Sequence, residues 1–395
     1  MKKKHPLMVR SLFAFSVAGL LSLTACGGSS ADDAATDTTA AAEVTETSAS
    51  DIASARVTKY LQTITDISLG DAPTSVPEAK TVYYIACSVA VCAEIQVGVE
   101  AAAEALGWTF KSTSHQDTPE TVAAAFDAAI AAKPDVVMSS GNPREWFADQ
   151  LTTLQSMNIP LISWSLPEGY EPGDGIAANI LSADDYYFYG MLMADYSVAN
   201  SPNKNIRFVG LPVFPVLSLV QQGFNDEIAA ICPDCKVETQ EIAISDIGVN
   251  LPGQIVSALQ ADPSLDFIAY AFGGMMYGVP DALDAAGLTD QAKAVSQAGG
   301  PMNFDFIKSG RHQLGEVALA SELLGWRAVD MAVSLLSGGT ISKAPASEMI
   351  AGHADIGLNG LPLQILQADT IEDATKLWPG VVGFQDKFLA RWGKK

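Results

Sequence analysis

TVYYIACSVAVCAEIQVGVEAAAEALGWTFKS, residues 81–112, decides the fold. Val82-Tyr83-Tyr84-Ile85-Ala86 is a short unbroken run of β-branched and aromatic residues, the composition of a strand covered on both faces. Ala93–Leu106 reads as a helix stopped by Gly107, and Trp108–Ser112 as the next strand. Strand, helix and strand in that order form one βαβ unit, which needs parallel strands joined by a crossover.

The unit recurs. Thr118 is placed as an N-cap and Pro119 at the first position of a helix that runs to Ala132 and is broken by Pro134. Asp135-Val136-Val137-Met138-Ser139 is a strand, Asn142-Pro143 starts a further helix by the same device, and Ile159-Pro160-Leu161-Ile162-Ser163 is a fourth strand. The order resumes after Asp195. Strands Asn205–Gly210, Val237–Ile244, Asp266–Ala271 and Ala294–Gln297 alternate with helices Leu217–Ile231, Pro252–Gln260 and Gly278–Ala286, the last ended by Gly287. The expected fold class is therefore α/β: two three-layer α/β/α lobes with parallel sheets. Ligands of such sheets sit beyond the carboxyl ends of the strands, which places a site in the cleft where the lobes face each other.

The N-terminus carries a different signal. Lys2, Lys3, Lys4 and Arg10 precede an apolar run, Ser11 to Leu23, too short to span a bilayer. It ends in Leu23-Thr24-Ala25-Cys26-Gly27, which resembles a bacterial lipobox; the alternative is an ordinary secretory signal with an accidental cysteine. From Gly27 to about Ser54 the chain is Ala, Thr, Ser, Asp and Glu, too polar to repay its ordering entropy. The division expected is a lipoprotein signal peptide (1–25) and a disordered tether (26–78) from a lipidated Cys26. An N-terminal lobe (79–180 plus 320–355), a C-terminal lobe (181–319 plus 356–367) and a C-terminal tail (368–395) follow. The formal charge of -22 argues against nucleic acid.

Of five cysteines, Cys26 is assigned to lipid. Cys87-x4-Cys92 and Cys232-Pro233-Asp234-Cys235 read as two local disulfides outside the cytoplasm. A four-cysteine zinc site would need the two pairs to meet, although the lobes separate them. A thioredoxin-like pair belongs at a helix start, whereas this one follows the helix Leu217–Ile231.

From Lys80 to Leu366 the chain resembles the type I periplasmic binding proteins, the ribose- and galactose-binding family. The likeness rests on Ala132-Lys133-Pro134-Asp135-Val136-Val137, Asn158-Ile159-Pro160-Leu161-Ile162, Gln222-Gly223-Phe224 and Ala282-Leu283-Asp284-Ala285-Ala286-Gly287. Ile307-Lys308-Ser309-Gly310 and Gly325-Trp326-Arg327-Ala328-Val329-Asp330 follow in the same order. The resemblance implies a three-strand hinge, with crossings near Ile180, Leu319 and Ile356, and closure by bending there. It also exposes departures. Where sugar-binding members carry Asp-Arg, this chain has Ser165-Leu166; their Arg before Gly-Phe is Val220, and their Asn-Asp is Phe272-Gly273. Their Asp-Gly is Ala298-Gly299, and their hinge glutamine is Leu319. Charged and amide sugar contacts are thus replaced by small or apolar residues.

The ligand-binding candidates implied are Ser88, Asn142, Trp146, Trp164, Ser165, Phe214, Leu217, Val220, Phe272, Tyr277, Gln297 and Leu319. Aromatic walls with a few hydroxyls and amides suit a flat or apolar molecule; the plainer reading is that several of them, with Met275 and Met276, only pack the lobes. No Gly-x-Ser-x-Gly elbow, phosphate loop or His pair at metal spacing is present, and His5, His115, His312 and His353 are scattered. The expectation is a non-enzymatic, monomeric solute-binding lipoprotein of the cell envelope, without cofactor or metal. It would be held on the outer face of the cytoplasmic membrane or in the periplasm, delivering a small apolar or aromatic molecule to an ABC-type permease. A sugar held by aromatic stacking, or a receptor coupled to a membrane signalling protein, are the alternatives.

Overall fold

The computed structural model describes residues 48–168, 174–341, 348–350, 353 and 358–395. The first sheet contains β1 (Thr81–Ala86), β2 (Thr109–Ser114), β3 (Val136–Ser140), β4 (Leu161–Trp164) and β5 (Ile176–Asn179). Its order is β2-β1-β3-β4-β5, and every pairing is parallel. The second contains β6 (Asn205–Gly210), β7 (Lys236–Glu241), β8 (Phe267–Tyr270), β9 (Lys293–Gln297), β10 (Gln313–Leu319) and β11 (Leu363–Leu366). Its order is β11-β10-β9-β8-β6-β7, with β10 and β11 alone antiparallel. The inner strands are mostly buried, whereas the edge strands β2 and β7 hold no buried residue. That is why the central strands read as unbroken apolar runs and the edges as Thr-, Lys- and Glu-bearing ones.

Helices α2 (Ala90–Leu106), α3 (Pro119–Ala132), α4 (Ala148–Ser156) and α10 (Ser321–Leu336) belong to the first lobe. Helices α5 (Ala183–Asn200), α6 (Pro215–Ile231), α7 (Leu251–Ala261), α8 (Val279–Ala286) and α9 (Pro301–Ser309) belong to the second. α3 starts as its cap residues require: Thr118 Oγ1 accepts from Thr121 N and Pro119 occupies the first turn. Each lobe has one helix crossing in which backbones touch. A Cβ on Gly98 of α2 would stand 2.0 Å from Glu322 O of α10, and one on Gly223 of α6 would stand 2.0 Å from Tyr187 O of α5. The chain leaves the first sheet between Asn179 and Ala183 and returns to the first lobe through Ala320. The crossing expected near Ile356 lies outside the described residues, as do the signal segment, Cys26 and the tether up to residue 47.

Two expectations need correction. The tether does not reach residue 78: α1 (Ala49–Tyr60) buries Ala53, Val57 and Tyr60 against the second lobe. Arg56 of α1 pairs there with Asp195 at 3.1 Å and Glu227 at 3.0 Å, and Trp108 Nε1 donates to Pro77 O. Nor is the C-terminal tail (368–395) separate from the lobes, because Phe384 and Phe388 of α11 (Phe384–Arg391) and its C-cap Trp392 pack around Trp326 of α10. Helix α5 is buried on nearly every side and so lacks the polar face that marks a surface helix in a sequence.

Both cysteine pairs are bridged, Cys87 to Cys92 and Cys232 to Cys235. The second bridge closes the turn after α6, with Cys232 at the helix C-cap, rather than a helix start.

Candidate functional site

Loops after the strands of both sheets meet at one cavity of about 110 Å³. From the first lobe it is walled by Trp164 at the end of β4, Ser165, Ser140, Asn142 and the Cys87–Cys92 turn leading into α2. From the second come Phe214 and Leu217 at the start of α6, Phe272 after β8, Gln297 and Ala298 at the end of β9, and Leu319 at the end of β10. Trp164 is held flat against Tyr84, ring centroids 5.5 Å apart and planes within 15°. Tyr84 in turn donates to Cys92 O at 2.6 Å. The disulfide turn, the aromatic pair and the strand end therefore brace one another.

The polar groups are few and each has a distinct state. Ser165 stands at φ 63°, a left-handed conformation, with its hydroxyl against Tyr186 Oη at 2.5 Å. Burial pushes the Tyr186 phenol up to about 12, opposed by that hydrogen bond. Asp117, also left-handed at φ 54°, accepts from Ser88 N–H and Ser88 Oγ. Burial holds His115 below its ordinary range, opposed by the charge of Asp117. The ring is thus neutral at pH 7, and its Nδ1 accepts from Asp117 N–H at 3.2 Å. Gln297 donates to Ala271 O at 2.8 Å, but its buried Oε1 has no partner among the described residues, a state that costs about 1–3 kcal/mol.

Of the twelve residues expected at the site, Asn142, Trp164, Ser165, Phe214, Leu217, Phe272, Gln297 and Leu319 line this cavity. The other four stand elsewhere. Trp146 packs on the outer side of the first sheet with the Phe126–Phe147 cluster, because Asn142-Pro143 opens a single 3-10 turn, Arg144–Trp146, instead of α4. Asn142 is accordingly no helix cap; its Nδ2 donates to Ser140 O at 3.3 Å. Val220 is buried where α6 crosses α5. Ser88 acts on the cavity only through Asp117, and Tyr277, 63% exposed, walls a neighbouring groove. Among the departures from sugar-binding motifs, Ser165, Phe272, Ala298 and Leu319 face the cavity, whereas Leu166 and Gly273 do not. Sequence reasoning missed Asp117, Ser140 and Tyr186. Asp117 directly precedes the N-cap of α3, and Tyr186 lies on the buried helix α5, which has no polar face to mark it.

Among the described residues, no group of His, Cys, Asp and Glu could hold a metal ion, and no helix is long and apolar enough to cross a membrane.

A family model described as "Periplasmic binding protein domain" matches residues 88–340. No curated protein matches the chain by sequence. Among solved structures, an ABC sugar transporter subunit from Rhodobacter sphaeroides superimposes with a TM-score of 0.60 at 19% identity, over 74% of this chain and 99% of that one. An ABC transporter solute-binding protein from Agrobacterium vitis, bound with α-D-tagatopyranose, gives 0.60 at 20% identity, over 74% and 96%. The 5-methylthioribose transporter solute-binding protein from Thermotoga lettingae, in complex with 5-methylthioribose, gives 0.62 at 14% identity, over 82% and 95%.

Proposed function

We propose, from the premise that this chain belongs to the periplasmic binding protein family, that it captures a ring-sized, largely apolar small molecule outside the cytoplasm and delivers it to an ABC-type permease. The observation that carries this reading is the cavity wall. Trp164, Phe214, Leu217, Phe272 and Leu319 enclose about 110 Å³ from both lobes, with no Lys or Arg among the residues lining it. An apolar protein cavity of ~150 Å³ accepts one benzene ring, so a single ring, and not a fused polycycle, is the size that fits. Burial of apolar surface at about 25 cal/mol per Å² supplies the affinity, and lobe closure about the hinge expels the water.

A second reading is favoured by Asp117, Asn142 and the unpartnered Gln297 Oε1. These could hold hydroxyls of a sugar whose apolar face lies on Trp164, and sugars are named in the descriptions of the structural relatives. One thermal-shift panel separates the two, since any compound binding only the folded state raises the midpoint. Phenol and benzyl alcohol should stabilise the protein; ribose, allose and tagatose should do little. A response to the sugars alone would overturn the apolar reading and leave the binding role standing. Trp164→Ala should abolish the response, whereas Trp108→Ala, which removes a buried ring bonded to Pro77 O away from the cavity, should spare it.

Cys26 is proposed as the acylated first residue of the mature chain, with the tether holding the body off the membrane. Cys26→Ser should release the protein from the membrane fraction or leave it unprocessed. Unchanged fractionation would count against the anchor.

A further inference from the structure

Beside the cavity, across Phe272 and Ala298, lies an outer groove between the lobes. Its floor is the start of α2, including Val91 and Glu94; its far wall is the start of α9, from Gly300 to Asn303; and Tyr277 stands at its mouth. The groove holds about 430 Å³, several times the inner cavity. Val89, Val91, Phe272 and Ala298 line both spaces, so the two adjoin along these residues.

The charges of the two spaces share one sign. Among the residues lining them, the acids are Asp117 in the inner cavity and Glu94 in the groove, and no Lys or Arg is present. The carboxylate of Asp117 is already engaged by Ser88. Glu94 is half-buried, and among the described residues only Ser321 Oγ donates to it, at 3.1 Å on Oε2. Its Oε1 lies against the backbone of Gly300, where a Cβ would stand 2.8 Å away. Burial raises the Glu94 carboxyl above its ordinary range, and the Ser321 hydrogen bond only partly opposes this. A partly desolvated carboxylate with one unused oxygen, in an otherwise apolar groove, selects a donor that carries positive charge. The overall charge of -22 adds a field that draws cations and repels anions.

We propose that this groove is a second subsite, in which Glu94 receives a protonated amine carried on a short arm of the ring-sized ligand. The inference rests on the reading of the cleft as a ligand site, and not on whether the ring is aromatic or a sugar. Anionic ligands such as phosphate esters and carboxylates are excluded by the same two acids.

The test measures binding by titration calorimetry at pH 7 for two ring cores, phenol and methyl riboside. Each is compared bare, with a 3-hydroxypropyl arm and with a 3-aminopropyl arm. On the core that binds, the amine should exceed the hydroxyl by about tenfold or more, as a charge-assisted hydrogen bond implies. That ratio should collapse towards one in Glu94→Gln. Should Glu94→Gln fold poorly, Gly300→Ala decides instead: it keeps the charge but fills the space beside Oε1, and should reduce the same ratio. An amine that binds no better than the alcohol, or an advantage that survives in the folded variants, overturns the subsite. If only the riboside series binds, the apolar reading of the cleft fails while the amine ratio still decides the subsite. If neither core binds in any form, the cleft reading fails and the subsite falls with it.

Discussion

Replacing Glu316 by Gln should flatten the dependence of stability on pH. Glu316 is fully buried on β10 and accepts from Gly299 N–H, Ser296 Oγ and Gln313 Nε2. It thereby holds the Gln297–Gly300 loop that forms one cavity wall. Burial pushes its carboxyl up from 4.5 to about 7, and the three donors pull it back without cancelling the rise. Between those values the native state keeps a proton that the unfolded chain has lost. Its contribution is therefore fully present below about pH 4.5 and is lost as pH rises to about 7. At about 1.4 kcal/mol per pH unit, that interval is worth about 3 kcal/mol.

In the native protein the trend is partly masked. Burial lowers His312 from 6.5 to about 4, so the unfolded chain holds the extra proton there and stability rises between those values. Asp195, pushed up to about 8 mainly by burial despite Arg56 beside it, acts in the same direction as Glu316. Both remain in Glu316→Gln, so subtracting the two stability curves isolates Glu316. An amide leaves at least one of the three donors without an acceptor, a constant penalty of about 1–3 kcal/mol at every pH. Urea unfolding at pH 4.5 and pH 8, with equal m-values, gives the comparison. The variant should gain about 3 kcal/mol relative to the native protein across that interval. Parallel curves would show that Glu316 enters the fold already ionised, and the reasoning from burial would be refuted.

Three further variants test the packing and the bridges. Gly190→Ala would set a Cβ 2.0 Å from Val220 O; a backbone atom cannot yield as a side chain does, so α5 and α6 must part at a cost of about 1–3 kcal/mol. A thermal midpoint equal to that of the native protein would contradict the crossing. Replacing Cys87 and Cys92 together by Ser frees a loop whose closure is worth about 2 kcal/mol and loosens a turn that lines the cavity. Stability and ligand response should therefore fall together. The matching change at Cys232 and Cys235, remote from the cavity lining, should lower stability alone, and a loss of ligand response there would undo the distinction.

The two-lobe order was legible because its carriers are local. Buried parallel strands must be continuous runs such as Val136-Val137-Met138, and Thr118-Pro119 supplies a cap whatever surrounds it. The cleft loops followed from that order, since strand ends point one way in a parallel sheet. Which side chain turns inward did not follow. Phe147 ends the 3-10 turn and precedes α4, and this one irregularity carries Trp146 to the outer face of the sheet, while Asn142 stays in the cavity wall. Composition misled in two opposite ways. The N-terminal stretch looks too polar to fold, yet Val57 and Tyr60 with the charge of Arg56 suffice to seat α1, because Asp195 and Glu227 wait on α5 and α6. Helix α5 looks too apolar to show a face, because neighbours cover it on all sides. The polar side of the ligand space was hidden for a third reason. Asp117 belongs locally to a helix start and Glu94 to an ordinary amphipathic helix, and only packing between distant segments sets Asp117 in the cavity wall and Glu94 in the adjoining groove. A pattern of motif losses at Ser165, Phe272, Ala298 and Leu319 therefore described what the cleft lacks, while what it possesses is set by packing between segments far apart in the chain.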